Sequence, residues 1–153
     1  MSTAELRSQA RTDRTEENAV VWLRRFLALD AAVTGANGLA YLVASGPIGR
    51  LLGVGSGLLL GLGAFLVLYG AGVGYLAGRS RPAVPLVKAV IEANVLWAIL
   101  SVVALTVWLD EPSTAGWIWI PMQAGTVGGF AVLQYMALRR VSVRGFPDRA
   151  PGV

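Results

Sequence analysis

The run from Pro82 to Leu109 constrains this chain more than any other stretch, because it is apolar almost throughout yet carries Lys88, Glu92 and Asn94 within two helical turns. About 20 apolar residues suffice to cross the hydrocarbon core of a bilayer, and an ionisable side chain inside such a span is costly enough to demand a partner or a function. No water-soluble surface helix is built this way, since none of its faces is predominantly polar. Glu92 is the first candidate functional residue. At about 1.5 Å of rise per residue it lies about 10 Å along the helix from Pro85, whereas Lys88 is close enough to the helix end for its long side chain to reach the interface.

Composition supports a polytopic membrane protein. Of 153 residues, 55% are hydrophobic and 14% charged, against about 25% charged in an average soluble domain. There is no cysteine and no histidine, which removes disulfides, thiolate metal sites and imidazole bases together. No catalytic residue, cofactor site or metal site is expected, and the chain reads as a non-enzyme. Arginine far outnumbers lysine, and Ala, Gly, Leu and Val dominate, a usage that fits a high-GC bacterial coding sequence.

The pattern predicts an all-α protein, a bundle of four transmembrane helices over 20–141, preceded by a mobile polar arm at 1–19 and followed by a basic tail at 142–153. The arm lacks the apolar block of a secretory signal peptide. Thr15, followed by Glu16 and Glu17, reads as a helix N-cap with acidic residues in the first turn. The spans run about Trp22 to Ala44, Leu58 to Ala77, Pro82 to Leu109 and Gly116 to Leu138. Gly46-Pro47 is expected to stop the first helix, leaving Ile48 to Leu52 at the interface. Pro82 and Pro85 suit the first turn of the third helix.

Short connections favour antiparallel neighbours, and the positive charges fix an orientation. Of the 13 Lys and Arg, only Arg50 falls on one side; the N-terminal arm together with Arg24 and Arg25, the turn at Arg79 to Lys88 and the tail from Arg139 carry the rest. Both termini are therefore expected in the cytoplasm of a bacterial inner membrane, with the tail touching anionic lipid headgroups. Trp108, Trp117 and Trp119 mark the outer interface and Trp22 the inner one. The cations flank apolar runs and form no stripe, so nucleic acid is not an expected partner.

An internal repeat of helical hairpins is also expected. Sliding the chain so that Asn37 falls on Asn94 also sets Arg24 on Arg81, Leu29 on Leu86 and Ala36 on Ala93. A similar slide sets Tyr75 on Tyr135 and Arg79 on Arg139. Two-span units repeat in the same direction, about an axis along the membrane normal.

On a 3.6-residue period Asp30, Thr34, Asn37 and Tyr41 share one face of the first helix, and Gln123, Thr126, Phe130 and Gln134 share one face of the fourth. Both faces should point inward, where interhelical hydrogen bonds hold spans together. In the third helix Lys88 and Glu92 are four apart and within pairing distance of each other, while Asn94 and Ser101 lie nearly opposite. Such a helix has two polar faces to satisfy, one of which suits another subunit. Gly63, Gly70, Gly74 and Gly78 line one face of the second helix, the small-residue pattern that lets backbones approach.

From about Arg24 to Arg140 the chain resembles a family of small four-span integral membrane proteins of high-GC bacteria. The residues that carry the likeness are LRRFLALDAAVTGANGLAYL at 23–42, GPIGRLLG at 46–53, NVLWAILSVV at 94–103 and GFAVLQYMALRR at 129–140. The resemblance implies the architecture and supplies no activity. Two function classes follow from the residues: a structural or accessory bundle in a membrane complex or homo-oligomer, and a small proton-linked transporter using Glu92 and Asp30. A water-filled cavity at Glu92 would favour the second.

Overall fold

The computed structural model describes residues 2–109 and 112–142, and every regular element in that range is helical. Four helices make up the fold: α1 (Thr3–Leu52), α2 (Ser56–Gly78), α3 (Val84–Val103, continued by a π-helical turn over Ala104–Trp108) and α4 (Thr114–Ser142). The first three are long and apolar enough to cross a membrane; α4 carries Gln123, Thr126 and Gln134 along its length. The side chain of Trp108, the residues Asp110 and Glu111, and the tail beyond Ser142 lie outside the described residues.

Two helix boundaries differ from the sequence reading. α1 begins at Thr3, so the polar arm belongs to the first helix. Its cap is Ser2, whose Oγ accepts from the Glu5 N–H while the Ser2 N–H donates to the Glu5 carboxylate at 2.6 Å, a capping box. Thr15 is not a cap. Its hydroxyl donates back to the Arg11 carbonyl at 2.7 Å, the bond a mid-helix threonine makes. At the other end the chain does not stop at Gly46-Pro47. It kinks at Ala44 (φ −127°, ψ 31°) and resumes as helix to Leu52. The break removes the clash that Pro47 would impose on the preceding turn and leaves the proline in the first turn of the new segment, where its missing N–H costs nothing. Gly53, at φ 69°, then ends the segment in the left-handed region, and the Val54 N–H closes on the Gly49 carbonyl at 2.9 Å.

Backbone packing runs from neighbour to neighbour in the order α2, α1, α4, α3, while α2 and α3 meet mainly through side chains, among them the stacked rings of Phe65 and Trp97. Glycine explains the tightest of these contacts. A Cβ on Gly38 would sit 2.9 Å from the Gly63 carbonyl oxygen, and one on Gly70 would sit 3.1 Å from the Ala31 oxygen, so α1 and α2 meet backbone to backbone. Of the predicted glycine face, Gly63 and Gly70 are buried in this contact and Gly74 meets Ala31 at ordinary distance. Gly78 is exposed with nothing near it and does not take part. The α1 partner glycine, Gly38, has no counterpart in the sequence reading.

An apolar cluster of Leu23, Leu27, Val73, Leu76, Val87, Val90 and Leu138 fills one end of the packed helices. There Arg24 Nε donates to the Ala77 carbonyl at 2.9 Å, capping the end of α2. Three arginines at this end lie over aromatic rings: Arg25 on Trp22, Arg79 on Tyr75 and Arg139 on Tyr135. At the opposite end Ser113 ties the two turns together, its N–H donating to Leu52 O and its hydroxyl to Leu51 O while accepting from the Gly116 N–H. The outer surface is apolar, with Val43, Leu68 and Val107 all largely exposed. Such a girdle suits lipid and would aggregate in water.

Candidate functional site

The inward polar residues converge on Asp30, which is fully buried in the middle of α1. Three neutral donors from three helices surround its carboxylate. Asn94 Nδ2 of α3 donates to Oδ2 at 2.6 Å, Gln134 Nε2 of α4 donates to the same oxygen at 2.8 Å, and the Thr34 hydroxyl, one turn along α1, donates to Oδ1 at 3.2 Å. The fourth helix enters through Tyr69 of α2, whose hydroxyl reaches Asn94 Oδ1 at 3.0 Å and the Val90 carbonyl at 3.3 Å. One hydroxyl proton serves one acceptor at a time, and the nearer is Asn94. With its oxygen facing Tyr69 and its nitrogen facing Asp30, the Asn94 amide has a single orientation consistent with all its partners.

The sequence explains the convergence. Asp30 and Thr34 are four apart, and Asn94 lies on the side of α3 that also carries buried Val87 and Val90. Gln134 follows buried Ala131 on α4 and precedes buried Ala137 and Leu138, small and apolar neighbours that let the helices close around the amide. Among the described residues no buried side-chain polar atom lacks a partner. A network satisfied in this way is rigid, because breaking any one bond strands a buried donor or acceptor.

Of the sequence candidates, Asp30, Asn94 and Gln134 are thus brought together. Asn37 and Gln123 are not in the network. They line a cavity of about 360 Å³ that is bounded by all four helices, on the side of the network away from the Arg24 end. A smaller adjoining space of about 40 Å³ shares Thr34, Leu66, Trp97 and Val127 with it and reaches Asn94 and Tyr69. Thr126, expected inward on α4, is exposed and donates to the Met122 carbonyl of its own helix.

Lys88 and Glu92 are placed differently from their expected pairing. Both are exposed, neither lines a cavity, and among the described residues no hydrogen bond or ion pair joins them. Glu92 is therefore not buried within the packed helices; α3 turns its Asn94 face inward and its Lys88 and Glu92 face outward. Tyr69 is the member of the site that the sequence reading missed. The signal was present, since Tyr69 is the only hydrogen-bonding side chain in the middle of the glycine-rich α2.

No family model, curated protein or solved structure matches this chain. Function must be argued from the two polar faces of α3 and from the cavity.

Proposed function

We propose that this chain is a four-span integral membrane protein of the bacterial inner membrane that serves as a structural, accessory bundle, assembling with a second copy of itself through the outward face of α3. One observation carries the proposal: the other mid-helix polar residues are largely satisfied inside or line the cavity, while Lys88 and Glu92 stand exposed, and unpaired among the described residues, on a helix apolar enough to cross a membrane. A carboxylate facing lipid at that depth is expensive. A two-fold axis along the membrane normal brings the same patch of two copies together. Residues of opposite sign one turn apart then make the patch self-complementary, Lys88 of each copy meeting Glu92 of the other.

The four-span topology with both termini cytoplasmic rests on the distribution of positive charge. The three arginine–aromatic pairs at the Arg24 end support it, since amphipathic rings and cations gather at membrane interfaces. The hairpin repeat draws support from the same contacts: Arg79 over Tyr75 and Arg139 over Tyr135, residues that coincide in the repeat, make the same contact four residues apart, at 5.5 and 5.8 Å. The family resemblance and the contact of the basic tail with anionic headgroups belong to this proposal, as does the absence of an enzymatic role.

The test is the mass of the protein extracted in mild detergent. The unaltered chain is expected at twice the monomer mass, and Glu92→Gln or Lys88→Ala is expected to shift it toward monomer. A monomer throughout would overturn self-assembly, and co-purification of a different membrane protein in fixed ratio would replace the second copy with that partner. A proton-linked transporter using Glu92 and Asp30 is the second reading. The observation in its favour is the cavity beside the Asp30 network; against it, Glu92 lines no part of that cavity.

A further inference from the structure

The cavity beyond the Asp30 network has features that neither helix packing nor self-assembly explains. Its volume of about 360 Å³ falls within the usual range of small-molecule pockets, about 300–1,000 Å³, and close backbone approaches between α2 and α3 are few, their side chains meeting where Phe65 stacks on Trp97. Exposed Leu58 on α2 and exposed Leu100 and Val103 on α3 are part of its wall. A lateral gap of this kind opens toward lipid. The first residue of the π-helical turn, Ala104, is part of the wall.

The polar content of the wall is small and, among the described residues, uncharged: amides, hydroxyls and one indole pair. Among the described residues no charged side chain lines the cavity. Asn37 of α1 and Gln123 of α4 face it with side-chain amides that make no hydrogen bond among the described residues. Tyr41 accepts from Trp119 Nε1 at 3.1 Å, which leaves its own hydroxyl proton unassigned. Among the described residues every buried side-chain polar atom is satisfied, and these two amides, half-buried and open to the cavity, have their donors and acceptors free for an occupant with acceptors and donors of its own. An ammonium or carboxylate would find no counter-charge among the described residues of the wall. A long apolar body would find leucine, valine and the side chains of Trp97 and Trp119.

We propose that this cavity binds a neutral amphiphile, a largely apolar molecule with one hydroxyl or carbonyl head, that enters from the bilayer between α2 and α3 and is held by the amides of Asn37 and Gln123. The inference requires the helices to lie in a membrane, and it is independent of whether Lys88 and Glu92 join two copies.

The test uses the full chain in nanodiscs of phosphatidylcholine, with quenching of tryptophan fluorescence by a brominated long-chain alcohol as the readout. A saturable quenching phase is expected, reversed by the unbrominated alcohol and absent with brominated phosphatidylcholine or with the brominated fatty acid above its ionisation range. Asn37→Leu with Gln123→Leu is expected to raise the midpoint at least about tenfold, the equivalent of one lost hydrogen bond of about 1.4 kcal/mol. Val127→Phe, which fills the wall shared by the two spaces, is expected to abolish the phase, and helix content by circular dichroism checks that each variant is folded. Quenching that rises without saturation would overturn the proposal, as would an equal saturable phase from brominated phosphatidylcholine, which would make the cavity a groove for bulk lipid. Equal affinity for alcohol and fatty acid anion would overturn the neutral class. Competition on the unaltered chain decides the matter even if the variants unfold.

Discussion

Asn94 donates to Asp30 at 2.6 Å across 64 residues of sequence, and this one bond joins α3 to α1 in the middle of the packed helices. Gln134 reaches the same carboxylate oxygen from α4. The polar centre is thus a three-helix lock to which Tyr69 adds the fourth helix, and its removal should be felt as lost stability.

Asp30→Leu is expected to destabilise the protein in detergent by about 1–3 kcal/mol or more, because Asn94, Gln134 and Thr34 lose their shared acceptor together. Asn94→Leu should cost a similar amount. In the double variant the losses should not add, with a coupling of about 0.6–1.7 kcal/mol. Thermal or denaturant unfolding of the four proteins measures this, and strict additivity would show that the two side chains do not interact.

Gly63→Leu and Gly70→Leu should each wedge α2 from α1 at a cost of about 1–3 kcal/mol, since a Cβ at either position already meets backbone atoms. Gly72→Leu and Gly78→Leu, where nothing lies within 4 Å, should be nearly neutral. Equal unfolding temperatures for all four variants would show that the glycine contact does not form.

Glu92→Gln should leave the unfolding temperature of the isolated monomer unchanged, because Glu92 is exposed and has no partner among the described residues. A large loss of monomer stability would mean that the carboxylate is held by the bundle itself.

Much of this arrangement was legible in the sequence, and the remainder was hidden for physical reasons. The helical period sets Asp30, Thr34 and Tyr41 on one face of α1, and all three are buried. It also sets Lys88 and Glu92 opposite Asn94 on α3. What the period cannot say is which face turns inward, because in lipid both need partners. Depth and charge pointed to Glu92, yet an amide that accepts and donates at once served the interior better. Capping went astray for a related reason: Thr15 has a cap's sequence context, but the helix was already under way from Ser2. The kink at Ala44 shows the reach of a proline, which disturbs the turn before it and leaves its own residue helical.

The orientation can be checked because the chain contains no cysteine, so single substitutions Ser2→Cys, Ser80→Cys and Ser113→Cys report cleanly. In intact cells only the variant at 113 should react with an impermeant thiol reagent added outside. Labelling at 2 and 80 with protection at 113 would invert the topology.

The most direct test of self-assembly is disulfide crosslinking in native membranes. Val95 and Ile99 are exposed on α3 and continue the face that carries Lys88 and Glu92, whereas Leu68 is exposed on α2. Val95→Cys and Ile99→Cys are expected to give an oxidant-dependent band at twice the monomer mass, and Leu68→Cys to remain monomeric. No dimer band from either α3 position, or equal bands from all three, would contradict association through this face.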